Sequence, residues 1–418
     1  MGLTDQLRDS LSRNVRALAA RVAGDVPTQM AGAPSRWGGP RTTRPQTATV
    51  KGLTPARIAA LLQQADQGYP AAMCELIAEV ERRDLTLLGL LSTRRRAVTA
   101  LPWKIQPVDE SPAALRTAEM VRKKILAIAN FDDGLLHLMG ALGPGYGAIE
   151  LDWYNRKGDA GINRVIYRPQ KWFRPDPDDP DAWRLLDVAA PMEGLPLPAW
   201  RFVVHVSLAV SGFPVEAGLG RALVWIFLYK NLAIKDWGTY GEIFGSPLRV
   251  GRYPAGTGGA EIEKLQTALD MLGVDASAVI SSDMQVEFVG DKSGKSGPDV
   301  YERMVNLCNA EMAKGVLGQT LTTEAGSKGS QALGTVHNEV RRDILVSDAR
   351  QLAKTITAQI VRPLVLFNVG PDEPIPAFIL ETDPPGDEKA EAETDKARAD
   401  AQKVRAEVFA TAAKLGIK

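Results

Sequence analysis

Cysteine and histidine are scarce in this chain of 418 residues: it holds Cys74 and Cys308, and His137, His205 and His337. Two cysteines so far apart exclude a disulfide scaffold and a thiolate zinc module, and they fit a reducing cytoplasm. The histidines are scattered without HExxH-type spacing, so no imidazole metal site is expected. Net charge is missing as well, because 50 Lys+Arg balance 50 Asp+Glu. That excludes a globally basic coat for nucleic acid, although patches of opposite sign can cancel in the sum. Long hydrophobic runs are also lacking. The longest apolar stretch on a helical pattern, Ala222 to Tyr229, is cut by Lys230, far short of the ~20 residues of a membrane span. The N-terminus lacks the continuous apolar core of a secretory signal.

What is present is the composition of a folded chain, with 45% hydrophobic and 24% charged residues. The length suggests about two to four structural units. Leu3, Leu7, Leu11, Val15, Leu18 and Val22 draw one apolar stripe on a helix. Such a helix suits docking on a partner or on the chain's own body, with a membrane-surface helix as the alternative. Residues 1–50 carry seven Arg against three Asp and read as a basic arm.

The body opens at Thr54-Pro55, a cap followed by a first-turn proline. Helical periodicity follows over Ala71–Arg83 and Leu85–Leu101, then over Ala113–Ile128 and Leu135–Leu142. Arg94-Arg95-Arg96 reads by default as a solvated face, and more sharply as a phosphate-facing patch. Lys104-Ile105-Gln106, Ala148 to Tyr154, Arg164 to Tyr167 and Phe202 to His205 have the period of strands. An α+β unit is therefore expected over 51–215. A long helix from about 218 to 244 leads to a small α/β lobe, about 246–296. A second helix over 298–316 is followed by a polar, Gly-rich loop to Gly334. Val336, Val340, Ile344, Leu352, Ile356 and Ile360 then keep an apolar seam until Pro363, which should kink or end that helix. Residues 387–418 are Ala-rich, charged and helical in propensity.

No reaction centre assembles from these residues. Gly290-Asp291-Lys292-Ser293-Gly294-Lys295-Ser296 follows a predicted strand, but it has three residues between its glycines where a P-loop needs four. It reads as a solvated loop. Gly143-Pro144-Gly145-Tyr146-Gly147 leads into a strand, not a helix, so it reads as a tight turn. Asp132-Asp133 and Asp178-Asp179 read as solvated turns. His337 reads as a capping or packing residue, and Trp225, Tyr229, Trp237 and Tyr240 as core or subunit-interface aromatics. Neither an enzyme nor any cofactor is expected.

Several stretches in order carry a resemblance: Tyr229 to Trp237, Glu242 to Gly251, Leu317 to Thr323, Asp343-Ile344-Leu345 with Asp348-Ala349, and Arg82 to Trp103 with Arg94-Arg95-Arg96-Ala97-Val98. Together they resemble the portal-protein family of Mu-like tailed phages over most of 51–380. The resemblance implies a predominantly helical α+β portal fold and a ring, usually of twelve subunits, at one vertex of a phage head. It implies double-stranded DNA passing weakly and non-specifically through the channel, and contacts with the large terminase subunit, the head–tail adaptor and the major capsid and scaffold proteins. Carried over by order, 51–215 is wing, 216–245 and 297–316 are stem helices, and 246–296 is the clip between them. Residues 317–334 become the tunnel loop, 335–380 the long wing helix and following strand, and 381–418 a crown segment. Gln319, Thr322, Ser327 and Lys328 are then expected to approach DNA, and Arg249, Arg252 and Tyr253 to meet terminase and adaptor. The rival classes are another capsid-associated scaffold or adaptor, and a nucleotide-binding packaging enzyme.

Overall fold

The computed structural model describes residues 52–156, 158–179, 182–187, 190–244, 249–271, 277–283, 299–319 and 331–382. Three helices open this part: α1 (Pro55–Asp66), α2 (Ala71–Arg83) and α3 (Leu85–Thr99). Thr54 caps α1, its hydroxyl accepting from Arg57 N at 3.3 Å, with proline in the first turn. Asp84 ends α2 and starts α3, accepting from Leu87 N at 3.0 Å. After strand β1 (Trp103–Gln106), Ser111 caps α4 (Pro112–Leu126), and α5 (Phe131–Leu138) runs on into a 3-10 turn, Met139–Leu142. Asp132 and Asp133 sit in the first turn of α5, not in a loop as expected; carboxylates there complement the helix dipole.

The central sheet has the order β3-β2-β7, all antiparallel, from β2 (Tyr146–Arg156), β3 (Asp159–Arg168) and β7 (Phe202–Val206). Alternation suggested one wet face, but β2 is buried continuously from Tyr146 to Leu151. Glu150 is inside because Arg201 Nε reaches one carboxylate oxygen at 2.8 Å and Arg168 Nε the other at 2.7 Å. Three short strands, β4 (Phe173–Pro175), β5 (Trp183–Asp187) and β6 (Ala190–Pro196), form a second antiparallel sheet that the sequence pattern did not show. Their proline, aspartate and glycine content masks the period of such short strands.

A helix pair follows, α6 (Gly220–Phe244) and α8 (Asp299–Leu317). Between them lies a lobe of β8 (Arg249–Tyr253), α7 (Gly259–Met271) and β9 (Ser277–Ser281), with β8 parallel to β9. A parallel pair needs a crossover, and α7 supplies it.

The long helix α9 (Gln331–Ile356) passes through a π turn, Thr357–Val361, into α10 (Arg362–Asn368); β10 (Ala377–Leu380) then returns to pair with β1. Pro363 was expected to kink or end the helix. The regular helix does end at Ile356, and Pro363 sits in the first turn of α10 after the widened turn, which eases the clash of its ring with the preceding turn. This helical run also closes both edges of the central sheet. Gln359 bonds Val204 N and O at 2.8 and 2.9 Å, and Asn368 bonds Ala160 N and O at 3.1 and 3.0 Å. Side-chain amides thus satisfy backbone groups that a bare edge would leave open. The fold is α+β, and among the described residues no single helix is long and apolar enough to cross a membrane.

Candidate functional site

The α6–α8 pair is buried only at its foot. In α6 the buried residues Leu223, Val224, Phe227, Leu228, Lys230 and Ala233 lie in the first fourteen positions, and in α8 burial begins at Cys308. Both helices also carry apolar residues in the open. Tyr229 and Leu232 on α6, and Val300, Met304 and Leu307 on α8, are exposed. Val300, Met304 and Leu307 fall at i, i+4 and i+7, one stripe of the helix. A stripe of large apolar side chains facing water marks a contact surface.

Two polar ties fix the foot to the body, and a third ion pair joins α2 to α3 beside them. Lys230 Nζ lies 2.9 Å from Asp84 Oδ1 and 3.3 Å from Thr86 Oγ1, with Lys230 and Asp84 both buried. Arg94 forks onto Asp348 of α9, at 2.7 and 3.0 Å, and donates a third bond to Val316 O at the end of α8, at 2.8 Å. Arg95 pairs with Glu81. The default solvated reading of Arg94-Arg95-Arg96 is corrected for two of the three, and only Arg96 is exposed. Their carboxylates come from other helices, Asp348 being 254 positions from Arg94, so local spacing held no sign of the pairing.

Arg94 therefore joins the two helices that flank residues 320–330. Gly318 ends α8 with φ of +71°, where a Cβ would come within 2.8 Å of Val340 Cγ1. Gln319 is 6% exposed. Its side chain is enclosed at the foot of the loop. The expected loop is also shorter than 317–334, since Leu317 belongs to α8 and Gln331 already starts α9. Thr322, Ser327 and Lys328 lie outside the described residues, as do the 290–296 loop, the 1–50 arm and the segment from 383 onward.

In the lobe, Arg252 pairs with Ile280 and Tyr253 with Ser281 across the parallel strands. Arg252 is exposed and Tyr253 half-buried. A Cβ at Gly251 would meet Leu269 and Leu265, so the Gly251 side of β8 faces α7. By the two-residue period Tyr253 shares that side and Arg252 points the other way. The structure thus does not gather these residues on one face. Arg249 opens the strand opposite Ser277.

Trp225 packs against the core and Tyr240 meets Tyr301 across the helix pair, 6.0 Å between ring centres. Two buried groups were missed by sequence reasoning: His205, whose Nδ1 lies 2.9 Å from Thr355 Oγ1, and Tyr146, whose hydroxyl lies 3.3 Å from Cys74 Sγ. Burial pushes the His205 pKa down to about 4 and the Cys74 thiol up to about 12. Both shifts follow from desolvation in a packed core and make neither group reactive.

The family described as "Portal protein of Mu bacteriophage" matches residues 74–416. The chain belongs to the Mu portal-protein family. It is 34% identical over 352 residues to the portal protein of Escherichia phage Mu, covering 82% of this chain and 67% of that one. It is likewise 34% identical over 323 residues to the Mu-like prophage FluMu protein gp29 of Haemophilus influenzae, covering 76% and 61%. This portal-family chain thus spans less than two thirds of the Haemophilus protein's length and about two thirds of the Mu protein's. Among solved structures it is similar to a chain of the native gene transfer agent virion, with TM-score 0.48, 12% identity, and 92% and 95% of the two chains covered. It is also similar to an HK97-family phage portal protein from Corynebacterium diphtheriae, with TM-score 0.40, 12% identity, and 73% and 94% covered.

Proposed function

We propose that this chain is one subunit of a ring of twelve at one vertex of a phage head, assembled in the bacterial host cytoplasm and retained in the virion. Its channel passes double-stranded DNA inward during packaging and outward at ejection. Major capsid and scaffold proteins meet the ring's rim, and the large terminase subunit and head–tail adaptor meet its outer end. The role is structural, with no catalysis and no cofactor. In this reading 51–215 with α9 is the wing, α6 and α8 are the stem, the β8–α7–β9 lobe is the clip, and 381–418 belongs to the crown. Thr322, Ser327 and Lys328 guide the duplex from a tunnel loop between α8 and α9, and Arg249, Arg252 and Tyr253 serve the clip contacts. A balanced net charge suits a guide that must let phosphates slide rather than hold them.

The observation that carries the reading is the open apolar stripe on the α6–α8 pair. A ring repeats one contact around an axis, so each subunit must present such a surface. Negative-stain images of the purified full chain should show rings with an open centre. Leu232→Asp with Leu307→Asp should leave the circular dichroism unchanged while reducing rings to single subunits. Monomers or closed shells from the unaltered chain would remove the reading.

A further inference from the structure

The segment between β7 and α6 is a rigid loop that displays apolar side chains. Leu208, Val210 and Phe213 are 51%, 61% and 59% exposed. The backbone beneath them is tied down: Ala209 N bonds Ala217 O at 3.1 Å, Ala217 N bonds Phe213 O at 3.1 Å, and Leu208 N bonds Gln351 Oε1 of α9 at 2.8 Å. The carboxylate of Glu216, half-buried at the loop's base, has no hydrogen-bond or ion-pair partner among the described residues, although its backbone N bonds Phe213 O at 2.8 Å. Such a loop does not fold over its own apolar groups; it holds them out.

On the other side of α9 lies a groove of about 630 Å³, between the helix with its π turn and strand β10. Ala353, Ala358, Ile375, Phe378 and Leu380 give it an apolar floor. Arg350, Lys354 and Arg362 rim it, all exposed and without an ion-pair partner among the described residues. The volume lies within the range of sites that accept a few buried side chains.

Loop and groove are on different sides of one helix. Gln351 and Thr355 face β7 and the loop, whereas Arg350, Ala353 and Lys354 face the groove. At about 100° per residue those two directions are about 125° apart. A protruding patch and a complementary recess on different sides of the same subunit make a head-to-tail contact, which closes into a ring when the rotation allows it.

We infer that the 208–213 loop of one copy seats in the α9–β10 groove of the next copy around the ring. The apolar tips enter the floor, and Glu216 comes to the Arg350, Lys354 and Arg362 rim, a match of charge as well as of polarity. The inference rests on the ring reading above and adds to it a second contact, on the body and away from the α6–α8 stripe. Three side chains bury too little area to hold a ring alone, so the loop sets the register of a contact that the stripe sustains.

Both native cysteines are buried, which leaves engineered thiols as the reporters. Phe213→Cys with Ala358→Cys in the full chain, oxidised mildly, should convert most of the monomer band on a non-reducing gel into a ladder of covalent multimers. Either single variant should give no ladder. Val210→Cys with Lys354→Cys is an independent second pair, in case the first does not fold. Open rings by microscopy with a monomer band from both pairs would overturn the inference and leave the ring reading intact. No rings and no ladder would sink both.

Discussion

Arg94 and Asp348 illustrate how much a single buried pair can hold. The guanidinium side chain is 11% exposed and the carboxylate 3%, and the fork between them joins α3 to α9 while the third bond reaches α8. Removing one partner strands a charge in the interior, which typically costs about 3–5 kcal/mol, whereas replacing both with apolar groups of similar size costs far less. Arg94→Ala should therefore lower stability by that order in urea unfolding, and Arg94→Met with Asp348→Leu should recover most of the loss. His205 provides a pH signature at the same scale. The unfolded chain takes up the imidazole proton near 6.5 and the folded chain only near 4. Stability is full above pH 6.5 and falls as pH drops through that window, by on the order of 3 kcal/mol in total. Thermal unfolding at pH 7 and pH 4.5 should show the decline, and His205→Gln should lessen it; an equal slope in the variant would assign the decline to other groups. Neither pair was legible in the sequence, because an arginine run and an isolated histidine look the same whether their partners are water or a distant helix.

At the scale of elements, the turn before β2 depends on glycines for close approach. Gly145 has φ of +96°, and a Cβ there would stand 2.0 Å from Pro214 O, in the segment that leads to α6. Gly89 is an exposed helix-interior glycine with open space around it. The same change should act in opposite directions at these two sites. Gly89→Ala should raise stability by about 0.5–1 kcal/mol, and Gly145→Ala should lower it by several times that; calorimetry of the two variants reads both signs. The Gly143 to Gly147 run was legible as a turn, because it leads into a strand and not a helix. Helices α1 to α5 were legible too, from apolar periodicity and, for α1, from the cap Thr54. Strands β4 to β6 were not, since their few residues lie among prolines and aspartates. The π turn was hidden as well: Pro363 announced a disturbance but not the form it would take.

Across the whole molecule, the zero charge sum conceals a basic arm over 1–50 and an acidic excess beyond 380, with the described body between them. The family likeness was legible because its motifs fall in order along α3, α6, β8, the end of α8 and α9. What periodicity could not tell was which apolar stripe meets the core and which meets solvent. Leu228 and Leu232 read alike on α6, yet the first is buried and the second exposed. That distinction needs the third dimension, and it is the one on which assembly turns.

The placing of the β8–α7–β9 lobe has a consequence for how such a chain can change. It connects the far ends of two helices, and its described elements pack on one another. Closing α6 on α8 across roughly 50 intervening residues carries a loop entropy that grows only logarithmically, by about 0.6 kcal/mol for each doubling in length. The free energy of the pair is thus nearly indifferent to what is strung between them. The lobe can lengthen, shrink or be exchanged for another small unit while the body keeps its fold, which leaves the tip of the hairpin free to diverge with whatever it must touch.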